Sequence, residues 1–265
     1  MKHNLKIVSL MLLLFLVAQV IGLVVVSHYN TNELPLGIER PEVEPDVAFV
    51  PMLLFILFAT VVILILFRLK LFWLWKAWFF LSVFVTLAIS FNVFVGLIAG
   101  LIGALILALW RLFFPNFLVN NFTEMFIYGA MATIFVPVLN LLSMFLLLAF
   151  ISVYDYIAVR KTKHMIDMAK SQEKTKLFAG LTIPYGKNVA ILGGGDIGFP
   201  LMFAAVVMMH FNLGLLDYRT YLIPIFSGMM LLALFVFGEK KKFYPAMPYL
   251  TLGCILGLGI LLFFV

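Results

Sequence analysis

Two acidic residues stand where acids are costly. Asp155 lies in Ile151-Ser-Val-Tyr-Asp-Tyr-Ile-Ala-Val159, and Asp196 lies in Val189-Ala-Ile-Leu-Gly-Gly-Gly-Asp-Ile-Gly-Phe-Pro200. Each belongs to an apolar run long enough to cross a bilayer. A charged side chain at such depth costs on the order of 2.5–3.5 kcal/mol on insertion scales, and residues of this kind mark functional sites. Two carboxyls at close range in a low dielectric do not both ionise easily, so the pair holds one proton between its members. That is the state in which a carboxylate takes a proton from an attacking water while its protonated partner donates to a carbonyl oxygen. This chemistry asks for no metal or cofactor. One cysteine, Cys254, and four scattered histidines, His3, His28, His164 and His210, offer no ligand spacing.

The elements that must position these carboxyls are membrane helices. Of 265 residues, 65% are hydrophobic and only 11% charged, against about 25% charged in a soluble domain. The net charge of +6 does not point to nucleic acid, because the basic residues sit in short loops between apolar runs. At about 20 apolar residues per span, the first helix is Ile7–Val26, retained rather than cleaved as a signal peptide. A loop rich in acids and prolines follows, and the second helix is Val47–Phe67. The run Leu71 to Phe114 is two helices divided near Ser90–Asn92. A loop holds Pro115, Asn116, Asn120 and Asn121. Met125 to Val159 is two more helices, divided near Pro137–Asn140. The seventh helix holds Asp196, the eighth is Thr220–Gly238, and the ninth runs from Pro245–Pro248 to the C-terminus.

The expected fold is an all-α membrane protein, a bundle of nine transmembrane helices in one polytopic domain over residues 1–265. Helices one to six occupy about 1–160, a basic cytoplasmic loop about 161–187, and helices seven to nine about 188–265. With the N-terminus cytoplasmic and the C-terminus outside, all but Arg40 and Arg219 of the 18 lysines and arginines fall inside. That bias is the one that sets orientation. Within the basic loop, Met165, Met168 and Ala169 fall at helical spacing, either as an interfacial turn or as part of a solvated loop. Trp73, Trp75, Trp78 and Trp110 are expected as interface anchors, and Asn92 and Asn140 in turns.

Ten of the 12 acids are placed by this reading in loops or at helix ends, which leaves Asp155 and Asp196. Counted at 1.5 Å per residue, they lie about 8 and about 13 Å from their basic loops, in the cytoplasmic half of the membrane on consecutive antiparallel helices. Gly193, Gly194 and Gly195 let a helix, water or substrate backbone approach the second carboxyl, or simply allow close packing. Pro245-Ala246-Met247-Pro248 either holds the chain extended beside the pair, where a substrate strand could dock, or starts a helix with proline. Tyr154 either bonds near the pair or packs.

The ordered set of Tyr154-Asp155, Gly193-Gly-Gly-Asp196 and Pro245-Ala-Met247, on helices six, seven and nine, resembles the presenilin and signal peptide peptidase family of intramembrane aspartyl proteases, with its Tyr-Asp, Gly-x-Gly-Asp and Pro-Ala-Leu motifs. The chain looks like a compact microbial, archaeal homologue of presenilin. The resemblance implies that Asp155 and Asp196 form a catalytic dyad. It implies that Tyr154, Gly193 to Gly195 and Pro245 to Met247 shape the substrate site. It also implies that the substrates are single-span helices cut within the bilayer, with no cofactor. Met247 replaces the usual Leu, and Gly194 occupies a position that is often Leu in presenilins. Short loops suggest action alone or as a homo-oligomer.

Two other functions compete. Val189 to Gly198 also matches Gly-x-Gly-x-x-Gly, the strand-turn-helix of dinucleotide sites, with Asp217 about 20 residues on. However, the following helix is apolar on every face and no further βαβ unit exists. Paired membrane carboxylates also serve ion or proton pathways, but no inverted repeat is evident.

Overall fold

The structure is a computed structural model that describes residues 5–160, 178–186, 188–238 and 244–264. Nine α-helices occur among the described residues: α1 Leu5–Tyr29, α2 Phe49–Arg68, α3 Phe72–Val95, α4 Leu97–Phe113, α5 Phe117–Phe135, α6 Leu141–Arg160, α7 Gly194–His210, α8 Leu222–Phe237 and α9 Met247–Leu262. Five helical segments are long and apolar enough to cross a membrane, and α4, α7 and α9 are shorter apolar helices. The expected bundle is therefore present, with one addition. An antiparallel hairpin, β1 Gly180–Tyr185 and β2 Asn188–Gly193, precedes α7.

The breaks follow local chemistry. Between α3 and α4 the chain turns at Gly96, whose φ of 79° suits glycine, so the expected break at Ser90–Asn92 is corrected. Both residues lie within α3 and bond neighbouring helices. The Ser90 hydroxyl donates to the Phe126 carbonyl at 2.7 Å, and the Asn92 amide donates to the Tyr29 hydroxyl at 2.9 Å. The α5–α6 break falls where proline and asparagine place it. Val136–Val138 forms a 3-10 turn, and Asn140 Oδ1 accepts from the Ser143 amide at 2.8 Å. α5 starts eight residues before Met125, because Asn116 caps it by accepting from the Val119 amide at 2.9 Å. Asn120, Asn121 and Glu124 are therefore helical.

α7 is the core of the bundle. Apart from Phe199, it is buried from Ile197 to Met208 and packs against α1, α5, α6, α8 and α9. A helix apolar on every face is one buried on every face. α2 packs on α6 and α3 and leaves Leu54, Phe55 and Phe58 exposed. Trp73, Trp78 and Trp110 are exposed, whereas Trp75 is buried.

The hairpin corrects the expectation that residues 180–193 are loop and helix. Leu181, Ile183, Ala190 and Leu192 are buried, while Val189 and Ile191 are exposed, the period-2 pattern of a strand pair with one face covered. Gly186, at φ 56°, makes the turn. The ladder runs on through the Gly194 amide, which donates to the Ala179 carbonyl at 3.1 Å. By that alternation Gly180, Thr182 and Pro184 face away from β2, and α5 covers this edge with amide side chains. Asn121 donates to the Thr182 carbonyl at 2.8 Å and accepts from its amide at 2.9 Å, and Asn120 donates to the Gly180 carbonyl at 2.8 Å. Pro184 has no amide to satisfy there. Met165, Met168, Ala169, Lys187 and the Glu239–Lys242 run lie outside the described residues.

Replacing Asn121 by Leu strips partners from both backbone groups of Thr182, a loss of about 1–3 kcal/mol. Faster amide hydrogen exchange across β1 than in the parent protein is the expected outcome, with exchange in α3 and α4 unchanged.

Candidate active site

Asp155 sits in the last turns of α6, buried, and accepts from the Met247 backbone amide at 3.1 Å. Met247 is the first residue of α9. Its amide is one of the donors a helix start leaves free, and the helix dipole favours an anion there. Ala246 already has helical angles, φ −85° and ψ −31°, and Pro248 stands in the first turn. A missing amide is harmless at that position. Of the two readings of Pro245–Pro248, the proline-started helix is therefore the one found, with Pro248 in the first turn of α9 and Pro245 just before it. Pro245, Ala246 and Met247 are all buried. One turn further along, the Ser152 and Thr251 hydroxyls are hydrogen-bonded at 2.7 Å, which joins α6 to α9 a second time.

Asp196 lies in the first turn of α7, half-buried, not about 13 Å along a helix. Its carboxyl reaches back to the Gly193 backbone amide, as the acid of a capping box does. A Cβ on Gly193 would stand 3.2 Å from Oδ2, so this position suits glycine. α6 packs against α7. Each carboxyl therefore has a backbone amide at a helix start. Tyr154 is half-buried beside Asp155, Gly194 is half-buried and Gly195 exposed. Among the described residues, no group of His, Cys, Asp and Glu is placed to hold a metal ion.

Several polar residues near the carboxyls escaped the sequence reading. Glu124 is a third acid within a helix, buried on α5. It pairs with Arg111 of α4 and accepts from the Tyr128 hydroxyl. Arg111, expected at the cytoplasmic end of a helix, is buried. It donates to Thr123 Oγ1 at 2.9 Å and to the Phe178 carbonyl at 2.9 Å, and stacks 4.8 Å from the centre of the Phe79 ring. Gln19 of α1 donates to the Ile197 carbonyl at 2.9 Å. The spacing Asn120, Asn121, Glu124, Tyr128 marks one polar face of a helix. It becomes visible once Asn116 is taken as the cap.

A family profile described as signal-peptide peptidase, presenilin aspartyl protease matches residues 12–191. The match includes Tyr154-Asp155 and ends before Asp196. Two solved structures, each described as a presenilin family intramembrane aspartate protease, are similar in fold. The one in space group C222 has a TM-score of 0.72 at 22% identity, covering 97% of this chain and 99% of that one. The one in space group P2 has a TM-score of 0.68 at 23% identity, covering 96% and 97%. No curated protein matches by sequence.

The Arg111–Glu124 pair generates a stability test. Removing one member of a buried pair strands the other charge and typically costs about 3–5 kcal/mol, whereas replacing both by apolar residues is often near neutral. Glu124→Ala is expected to lose this much in denaturant unfolding. The double variant Arg111→Met/Glu124→Leu should recover most of it.

Proposed function

This chain belongs to the signal-peptide peptidase and presenilin family of intramembrane aspartyl proteases, and from that premise we propose that it cuts single-span transmembrane helices with Asp155 and Asp196 as its two catalytic carboxyls. The observation that carries the assignment is the placing of these two acids on the packed helices α6 and α7, Asp155 against the start of α9 and Asp196 in the first turn of α7. The ionised member takes a proton from water as the water attacks the scissile carbonyl. The protonated member donates to the carbonyl oxygen. The roles exchange as the tetrahedral intermediate collapses and the amine leaves. The Met247 and Gly193 amides hold the carboxyls in place for these transfers. An ion or proton pathway gains no support from the family match.

A substrate helix hides its carbonyls in its own hydrogen bonds, so it must unwind before attack. β2 offers a template for the unwound segment. Val189 and Ile191 turn their backbone groups away from β1, and this edge runs to Gly193, whose amide meets Asp196. An added strand on that edge would gain main-chain hydrogen bonds and arrive at the carboxyl. Pro245, Ala246 and Met247 close the opposite side through Asp155. On this account Gly194 and Gly195 leave room for the incoming backbone. The chain works as one domain, alone or as a homo-oligomer, with the hairpin on the cytoplasmic side.

Asp155→Asn and Asp196→Asn are each expected to abolish cleavage of a single-span substrate in liposomes while unfolding like the parent. One carboxyl cannot run both transfers, so substantial cleavage by either variant would overturn the dyad. For the parent, log kcat/KM against pH should be bell-shaped, because only the singly protonated pair is active. A plateau that persists to alkaline pH would speak against a shared proton.

A further inference from the structure

Gly193, Gly194 and Gly195 give the start of α7 more backbone freedom than any other triplet in the chain would. A catalytic carboxyl on that turn needs a fixed position, and a misplacement of about 1 Å costs on the order of 100-fold in rate. Something must therefore hold the turn from outside α7. Gln19 reaches α7 only at Ile197. Tyr128 reaches it at Gly194 itself. A Cβ at Gly194 would stand 2.9 Å from the Tyr128 hydroxyl oxygen and 3.3 Å from Cε1, and a Cβ at Gly198 would stand 3.5 Å from Cδ1. Gly194 and Gly198 are one helical turn apart on the same face, and Asp196 projects from the other side. The two glycines make a slot behind Asp196, and the phenol ring fills it.

The ring is itself anchored. Tyr128 is buried, and its hydroxyl donates to Glu124, which pairs with Arg111. Arg111 also donates to the Phe178 carbonyl, where the chain enters β1, and the Ala179 carbonyl accepts from the Gly194 amide. One polar chain thus ties α4 and α5 to both the hairpin entry and the first turn of α7.

We propose that Tyr128 is a positioning residue for Asp196. Its ring, held by Glu124 and Arg111, occupies the slot formed by Gly194 and Gly198 and fixes the turn so that Asp196 meets Asp155. Tyr128 acts through the α7 backbone and touches neither water nor substrate. The role rests on the proposed catalytic use of Asp196. It also accounts for glycine at position 194, where a larger residue would displace the phenol.

The test compares Tyr128→Phe, Gly194→Ala, the double variant and Asp196→Asn, purified in liposomes with a single-span substrate. Tyr128→Phe keeps the ring and loses the anchor, so kcat is expected to fall about tenfold or more while KM stays within about twofold and the unfolding midpoint holds. Gly194→Ala should lose activity as well, because its methyl meets the hydroxyl. The double variant should be more active than Gly194→Ala alone, since removing the oxygen makes room for the methyl. The proposal is overturned by a parent-like kcat for Tyr128→Phe, by a loss that merely tracks a lowered unfolding midpoint, or by no rescue in the double variant. If Gly194→Ala does not fold, the split between kcat and KM for Tyr128→Phe decides. Inactive Asp196→Asn with parent-like Tyr128→Phe rejects this role alone, whereas active Asp196→Asn rejects the dyad itself.

Discussion

With no water in the hydrocarbon core of a bilayer, every backbone donor and every carboxyl there must find its partner within the protein. The beginnings of α7 and α9 answer both needs at once. A helix start has free amides and a favourable dipole for an anion, and here the two starts serve the two acids. The Gly193 amide serves Asp196, and the Met247 amide serves Asp155. Both helices are short, 17 and 16 residues, below the roughly 20 needed for a full span. Their N-termini can therefore lie beneath the membrane surface. The hairpin leads directly into α7, and Tyr244 to Ala246 lead into α9.

A two-stranded hairpin brings its own difficulty, because strand edges carry unpaired backbone groups. α5 covers the β1 edge with Asn120 and Asn121, and the same face continues to Glu124 and Tyr128. The other edge of β2 is turned away from β1, and the strand ends at Gly193, three residues before Asp196. The division is consistent with hydrolysis of an unwound helix, since one edge is anchored and the other is oriented for a visiting strand. Glycine at 193 and 194 gives both carboxyl and phenol close access to the α7 backbone, and the polar chain from Arg111 offsets the freedom those glycines bring.

Much of this was legible in the sequence because hydrophobic length and basic loops are strong signals. The nine-helix bundle, the α5–α6 break at Pro137–Asn140 and the three motifs were all readable. The hairpin was not, since Gly180 to Tyr185 lies in the polar, basic stretch that reads as a loop and Val189 to Gly193 continues into the apolar run of a helix, with Val189 and Ile191 putting apolar side chains on the exposed face too. The strand-to-helix passage at Gly193 is what the dinucleotide-like pattern spells. Its helix, however, is buried from Ile197 to Met208 apart from Phe199, and among the described residues its strand pairs only with β1. Glu124 and Arg111 read as loop or helix-end residues because charge ordinarily ends a span. Their mutual neutralisation is a tertiary fact, with 12 residues and a turn between them. Gly96 rather than Ser90–Asn92 ends α3 because both polar residues found partners on other helices.

The most direct test of the central claim is to incubate the purified parent protein in liposomes with a single-span helical substrate in water enriched in oxygen-18 and to map the products by mass spectrometry. The account predicts cuts inside the apolar span, each leaving one labelled oxygen in the new C-terminal carboxyl. Folded protein that gives no cleavage, or cuts only outside the span, would contradict it.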